Sequence, residues 1–315
     1  MYLFNELKII KLIKSKFPLS NQEITGIGDD AALIKMNDTQ MIAISKDLLI
    51  EDSHFRLSYF SPQAVAHKSL HSNLSDIAAM GITPKYILLG LAIPPYISES
   101  WIEKFINHLA TLCHQHSIIV IGGDTVPSDN KLVISITVCG IGNQENIKYI
   151  NKAKPEDVIC IAGNVGYAHL GLYALEKNIP GFERFKNAQL FPEAKLAEGL
   201  FLGNYLEVTS MTDLSDGLHT DLKNLCNTSN VGATINITPL LKFDSNFKKL
   251  SSILNIPIVD TLIHGGEDYG LLFTVKEYVL DILSKEFYQK FGYYFDKLGT
   301  ITKTTEIIFS PLNSL

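Results

Sequence analysis

Six short acidic clusters, nearly all beside glycine or another small residue, are spread along this chain. They are Gly28-Asp29-Asp30, Lys46-Asp47, Ser75-Asp76, Gly122-Gly123-Asp124, Asp213-Leu214-Ser215-Asp216-Gly217 and Gly265-Gly266-Glu267-Asp268. A fold that gathers these carboxylates builds sites for several hard divalent cations, which take oxygen ligands and share them with substrate phosphates. Phosphoryl transfer from a Mg-nucleotide is therefore the leading expectation.

At 315 residues the chain is too long for one ordinary core, so two domains are expected, with 46% apolar residues enough to pack both. The formal net charge of −6 and the lack of a basic stripe argue against nucleic-acid binding. Cys113, Cys139, Cys160 and Cys226 form no paired motif and read as buried thiols of a reducing compartment. Met1–Phe17 reads as an amphipathic helix, with Leu3, Leu7, Ile10 and Ile13 on one face and no signal-peptide core. No apolar run reaches the ~18 residues of a membrane span. A soluble cytoplasmic protein is expected.

The first half alternates extended and helical segments. A turn at Asn37-Asp38 precedes a strand at Ile42–Ser45. Ala64–Met80 has helical spacing through Val65, Leu70, Leu74, Ile77 and Ala78, with Gly81 as its stop. Tyr86–Ile93 reads as a strand closed by Pro94-Pro95, and Ser98 caps a helix through Trp101, Phe105, Leu109 and Leu112. In Leu132–Ile141 both alternating faces are fairly apolar, which predicts a strand covered twice, once by a partner subunit. The domain boundary falls near Gly142–Lys154, dividing residues 1–150 from residues 151–315. Strands are expected at Val158–Ala162, Thr234–Ile237, Leu271–Val275 and Ile307–Phe309. Helices are expected at Tyr167–Glu176, Glu193–Leu206, Thr220–Asn227 and Tyr278–Phe291.

Individual clusters carry the chemistry unequally. Asp30 follows Gly26 and Gly28, which allow a sharp turn and close backbone approach to a ligand. Asp47 is read as ending a strand. Asp76 lies inside a helix, where aspartate has poor propensity; it is either a metal ligand or a solvated residue, and the apolar Ile77–Met80 beside it favours the ligand. Asp124 follows Ile118–Ile121, a buried-looking strand, and Gly122-Gly123, a sequence suited to setting backbone N–H groups on phosphate. Ser215 or Asp216 can serve as an ordinary N-cap before a helix, a role compatible with metal binding. His114 and His116 fit the surface end of a helix better than a metal site. There is no Walker loop, kinase catalytic loop or nucleophile elbow, so a phosphotransferase here needs a less common nucleotide fold.

Taken in order, Gly26–Ala32, Ser45-Lys46-Asp47 with His54-Phe55, Asn73–Gly81, Ile121–Thr125, Asp213–Leu218 and Gly265–Tyr269 resemble the thiamine-monophosphate kinase family. The resemblance implies a two-domain α+β fold of the aminoimidazole ribonucleotide synthetase type, shared with selenophosphate synthetase and a hydrogenase-maturation protein. Its N-terminal mixed sheet pairs two subunits into a homodimer with ATP in a cleft near the interface, and its C-terminal half is an α/β sandwich. By the family pattern Asp30, Ser45, Asp47, Asp76, Asp124, Asp213 and Asp216 hold Mg²⁺. Gly122, Gly123 and Ser215 meet ATP, while His54 and Glu267 face thiamine phosphate.

The implied reaction transfers the γ-phosphoryl group of ATP to thiamine phosphate. The attacking phosphate oxygen is already ionised, so no residue is assigned as catalytic acid or base. Several positions depart from the pattern. Ile150 stands at the usual ATP arginine, with Lys152 and Lys154 as nearby point charges. Lys46 replaces a threonine, and its ammonium can face solvent, occupy a cation's place or repel one. Tyr167 replaces an aspartate and Gly270 a glutamate, and Asn313-Ser314-Leu315 ends the chain without the family's aromatic tail. Two alternatives stay open: another ATP-using enzyme of the superfamily, or a nucleotide-binding protein with little or no catalysis.

Overall fold

The computed structural model describes residues 6–19, 23–242 and 245–310. The first half gives α1 (Glu6–Lys16), β1 (Ile24–Thr25), β2 (Ala32–Lys35), β3 (Gln40–Ile50), α2 (Pro62–Ala79), β4 (Thr83–Ile93), α3 (Glu99–Gln115), β5 (Ile119–Pro127) and β6 (Val133–Asn143). The six strands form one sheet in the order β1-β2-β3-β6-β4-β5, antiparallel except for the parallel pair β4–β5. Asn37 turns the chain between β2 and β3, its Oδ1 accepting from the Thr39 and Gln40 amides at 3.0 and 2.9 Å. Ser61 and Ser98 cap α2 and α3, and Gly81, at φ +68°, ends α2 in a conformation that suits glycine.

The second half gives β7 (Val158–Ala162), α4 (Tyr167–Glu176), α5 (Glu183–Leu190), α6 (Leu196–Gly203), β8 (Val208–Asp213), α7 (Leu218–Ser229), β9 (Gly232–Ile235), α8 (Ser245–Leu254), α9 (Ile258–His264), β10 (Leu271–Val275), α10 (Leu280–Phe291), β11 (Asp296–Thr302) and β12 (Ile307–Phe309). Its sheet runs β12-β9-β11-β7-β10-β8, with only β12–β9 parallel. Every residue of β7 and β10 is buried, and alternate residues enter two different cores. Val158, Cys160, Leu271 and Phe273 face the core that holds α2, whereas Ile159, Ile161 and Leu272 face the one beneath α7 and α8. Strands covered on both faces read as continuous apolar runs, which is how these two stand out in the sequence.

α2 lies between the two sheets. It packs on β3 and β6 on one side and on β8 and α6 on the other. The crossing with α6 is close because Gly199 lies against the Ala78 carbonyl, where a side chain would collide with backbone. A helix so enclosed ties both halves of the chain to one shared core.

Three expectations change here. Ile119, Val120 and Ile121 are 59%, 48% and 56% exposed, because β5 is the free edge of its sheet; only Ile118 is buried. Asp47 sits within β3, which continues to Ile50, and does not end it. The described apolar side chains of α1 are not buried: Ile10 and Ile13 are 37% and 42% exposed, while Leu3 and the Leu7 side chain lie outside what is described. In β6 the inward Ile134, Ile136 and Val138 are buried while Val133, Ser135, Thr137 and Cys139 are half-exposed, so the sheet's outer face is open in this chain.

Candidate active site

Residues spaced three and four apart share one helix face. On α2 the buried Lys68, Ser72 and Ser75 lie on such a face with Asp76, an unusual polar stripe in a helix otherwise packed with Val65, Leu70, Leu74 and Ile77. Each of these polar groups has a partner brought in by another element. Ser45 of β3 donates to Asp76 Oδ2, and Ser75 donates to Asp213 Oδ2 at 2.6 Å. The Asp47 amide donates to Asn73 Oδ1 at 3.0 Å, and Ser72 bonds the Asp47 carboxylate.

Asp30, Asp76 and Asp213 converge there, with one carboxylate oxygen from each lying within 4.8 Å of the others. Thr212 donates to Asp30 Oδ1 at 2.8 Å, but Asp30 Oδ2 is buried and has no partner. Burial, with the neighbouring Asp213 charge adding to it, pushes the Asp30 and Asp76 carboxyls well above the ordinary range. Asp213 is pushed up to about 6 by burial, against the pull of its bonds to Ser75 and Ser215. Clustered carboxylates with an orphaned oxygen are unfavourable by themselves and become favourable around a hard cation, so the donor set fits Mg²⁺. Beside them opens a cavity of about 340 Å³, lined by Asp29, Asp30, Asp213, Ser215, Asp216 and Asp221 among others, and, among the described residues, by no lysine or arginine.

The loop after β8 differs from a simple helix cap. α7 begins with Gly217 at its N-cap, without a side-chain bond, so neither Ser215 nor Asp216 caps it. Ser215 Oγ instead donates to Asp213 Oδ1 at 3.3 Å, and the Asp216 amide donates to Asp221 Oδ2 at 3.2 Å. Asp221, which sequence reasoning passed over, is pushed up to about 8 by burial and by Asp213 and Asp216. The loop Gly265–Tyr269 docks on this one. The Glu267 amide donates to the Ser215 carbonyl at 2.8 Å and the Tyr269 amide to the Leu214 carbonyl at 3.0 Å. Both residues are held at positive φ, +64° and +49°, a conformation non-glycine residues rarely adopt.

Lys68 was also missed, although a lysine amid the apolar spacing of α2 was a visible signal. It pairs with Glu267 Oε1 at 2.7 Å and donates to the His54 carbonyl at 3.1 Å. Glu267 Oε2 accepts from Gln189 of α5 at 2.8 Å, and His54 Nδ1 accepts from the Ile50 amide at 3.0 Å. Thus His54 and Glu267 are joined through one buried ammonium at the end of α2 away from Asp76.

Asp124, Gly122 and Gly123 do not join the carboxylate cluster within one chain. Asp47, Ile136, Leu89 and Gly123 are successive partners across β3, β6, β4 and β5. Three strand spacings of ~4.8 Å put Gly123 about 14 Å from Asp47. Lys46 alternates with Ser45 and Asp47 and projects onto the sheet's outer face, where its Nζ donates to Ser135. It neither faces nor repels a cation among Asp30, Asp76 and Asp213.

Ile150 borders the acidic cavity, its amide donating to both oxygens of Asp29 at 3.3 Å. Lys152 instead lies over the Tyr149 ring, and neither it nor Lys154 lines the cavity. Tyr167 is a core residue, stacked on Phe185 at 4.9 Å and meeting Phe247 edge-on. Asp268 takes over the start of α4, accepting from the Gly166 and Ala168 amides at 2.5 and 2.9 Å. The chain's last residues, Asn313-Ser314-Leu315, lie outside the described ones.

Residues 28–142 match the family model of AIR synthase related proteins, N-terminal domain. The thiamine-monophosphate kinase of Buchnera aphidicola subsp. Schizaphis graminum is 34% identical over 282 residues, covering 87% of this chain and 84% of that protein. The chain belongs to the thiamine-monophosphate kinase family. Among solved members, "AaThiL complexed with AMPPCP and TMP" superposes with a TM-score of 0.85 at 25% identity, covering 100% of this chain and 97% of that one. The thiamine-monophosphate kinase of Stenotrophomonas maltophilia K279a gives 0.78 at 27% identity, covering 98% and 97%. Kinases of this family therefore share the two-sheet architecture described above. No described helix is long and apolar enough to cross a membrane.

Proposed function

We propose that this chain is a kinase that transfers the γ-phosphoryl group of ATP to thiamine phosphate, giving thiamine diphosphate. The observation that carries this reading is the convergence of Asp30, Asp76 and Asp213 around an orphaned buried oxygen in a member of this family. Asp30, Ser45, Asp47, Asp76, Asp213 and Asp216 would hold Mg²⁺, with Asp124 completing the set from β5. When bound, Mg²⁺ supplies charge neutralisation for the transferring phosphoryl group. Ser215, Gly122 and Gly123 would meet ATP. Lys68 fixes Glu267 and the His54 segment, which orient thiamine phosphate for in-line attack by its own ionised oxygen.

The same reading divides the chain near residue 150 into an N-terminal ATP, metal and pairing domain and a C-terminal α+β domain. It places the protein in the cytoplasm as a homodimer paired through the open face of the first sheet. Incubation with ATP, Mg²⁺ and thiamine phosphate, followed by chromatography, should give thiamine diphosphate and ADP in equal amounts. ATP consumption without thiamine diphosphate would reject the reading.

A further inference from the structure

Beside the acidic cavity lies a second one of about 840 Å³, within the range of small-molecule sites, which shares Gly28, Asp29 and Thr228 with it. Its far wall is α1 and the residues that follow, with Phe17 and Leu19 among the lining groups. Lys14, on the last turn of α1, projects over the glycine turn. A methyl group built on Gly28 would lie 3.3 Å from Lys14 Nζ, and from no other neighbouring heavy atom within 4 Å. Gly28 is at φ +129°, a conformation that leaves its backbone bare on that side. Among the described residues Lys14 has no hydrogen bond or ion pair. An ammonium thus faces a bare backbone turn where two cavities meet, one acidic and the other walled by apolar side chains.

A nucleotide triphosphate with one bound Mg²⁺ is still anionic, and among the described residues the acidic cavity offers no lysine or arginine of its own. Ile150, which by the family resemblance stands in place of an arginine, lines that cavity with an apolar side chain. We infer that Lys14 is the cation that holds the nucleotide's phosphates at the Gly26–Gly28 turn, carried there by α1. This rests on the nucleotide-binding part of the proposed function. It also accounts for α1, whose exposed apolar residues contribute little to the core. As a point charge on a flexible stem, Lys14 makes single charge-assisted bonds and not a bidentate fork.

The test is calorimetric titration of the full chain with AMPPCP in the presence of Mg²⁺, comparing wild type with Lys14→Met, Lys14→Arg and Lys16→Met. Lys14→Met should weaken binding roughly tenfold. Lys14→Arg should stay within about twofold of wild type, and Lys16→Met should leave Kd and thermal midpoint unchanged, as an exposed control. Equal affinity for wild type and Lys14→Met overturns the inference, as does an equal loss in Lys16→Met, which would mean only general charge attraction. Lys14-dependent AMPPCP binding by a protein that makes no thiamine diphosphate would sustain the role of Lys14 and reject the kinase reading. No AMPPCP binding by wild type would reject both.

Discussion

Lys68 Nζ stands 2.7 Å from Glu267 Oε1 with its own side chain only 2% exposed, while Glu267 is 32% exposed. The pair is asymmetric, because the ammonium has left water and the carboxylate has not. Removing the carboxylate strands a buried charge, and this costs more than removing the ammonium. Glu267→Gln should therefore destabilise the protein by about 3 kcal/mol, the lower end for a broken buried pair, since the amide oxygen still accepts a bond. Lys68→Met should cost less, and the double variant should recover part of the loss. Urea unfolding of the three variants as a double-mutant cycle measures this. Strictly additive costs would show that the two groups do not interact.

The metal cluster makes a second prediction. Asp30 Oδ2 is buried without a partner and its carboxyl is raised well above the usual range by burial and by Asp213. Asp30→Asn should raise the Tm of the metal-free protein, because one repelling carboxylate is gone. In wild type, Mg²⁺ at about 100 times its Kd should add roughly 2.7 kcal/mol of stability, and in Asp30→Asn this increment should shrink and turnover should vanish. Thermal scans with EDTA and with Mg²⁺ check both. A wild-type Tm indifferent to Mg²⁺ would remove the carboxylates from metal binding.

Much of this was legible in the residues, for identifiable reasons. β7, β10 and α4 fall at their expected limits because uninterrupted apolar runs and glycine turns bound them. β1, β2, β8, β11, α5, α8 and α9 were missed. Val208–Asp213 carries the polar Thr209, Ser210 and Thr212, each bonded to a distant group: Thr209 to Asp157, Ser210 to the Tyr149 carbonyl and Thr212 to Asp30. α5 is short and polar, and its one deeply buried polar side chain, Gln189, matters because it meets Glu267. Asp30, Asp76 and Asp213, expected from their motifs to converge, each bring a carboxylate oxygen within 4.8 Å of the others. Asp124 was grouped with them because spacing along the chain says nothing of strand order, and β5 lies at the opposite edge. The isoleucines before Gly122 read as buried for a related reason: apolar side chains look alike whether their cover is the same chain or another.

A histidine cluster predicts acid sensitivity. His67 and His71 stack at 4.2 Å, with His108 and His116 at 5.9 and 5.3 Å from them. They join α2 to the segment before α6, His67 Nε2 meeting the Pro192 carbonyl at 2.9 Å and His71 Nδ1 accepting from the Ala194 amide at 3.1 Å. Burial lowers all four, and His71 falls well below the usual histidine range. The folded state thus binds fewer protons than the unfolded one, so this stabilisation is complete above about pH 6.5 and is lost as pH falls below it. For His71 the loss should be roughly 1.4 kcal/mol per pH unit until its folded midpoint is reached. Carboxyls raised to about 6 at Asp213 and about 7 at Asp268 act oppositely, stabilising the fold at low pH and losing that contribution as pH climbs from the unfolded value through the folded one. His71→Gln keeps an acceptor for Ala194 and removes the titration. Its unfolding free energy should fall less than that of wild type between pH 7.5 and pH 5.5, and parallel falls would discharge the cluster from this role.

The open face of the first sheet makes the last prediction. Tyr86, Leu88, Ile119 and Ile121 expose apolar side chains along adjacent strands, and β5 also presents an unpaired edge. An exposed apolar sheet of this kind is an association surface. In one chain Gly122, Gly123 and Asp124 stand about 14 Å from Asp47 by strand spacing, so pairing of subunits is what would bring them to a nucleotide held by the carboxylate cluster. Ile121→Lys should therefore give a folded monomer in sedimentation velocity, with an unchanged circular-dichroism spectrum. Turnover should drop at least tenfold, while Mg²⁺-dependent stabilisation of Asp30, Asp76 and Asp213 persists, since those ligands come from one chain. A fully active monomer would show that β5 serves the reaction without a partner, or not at all.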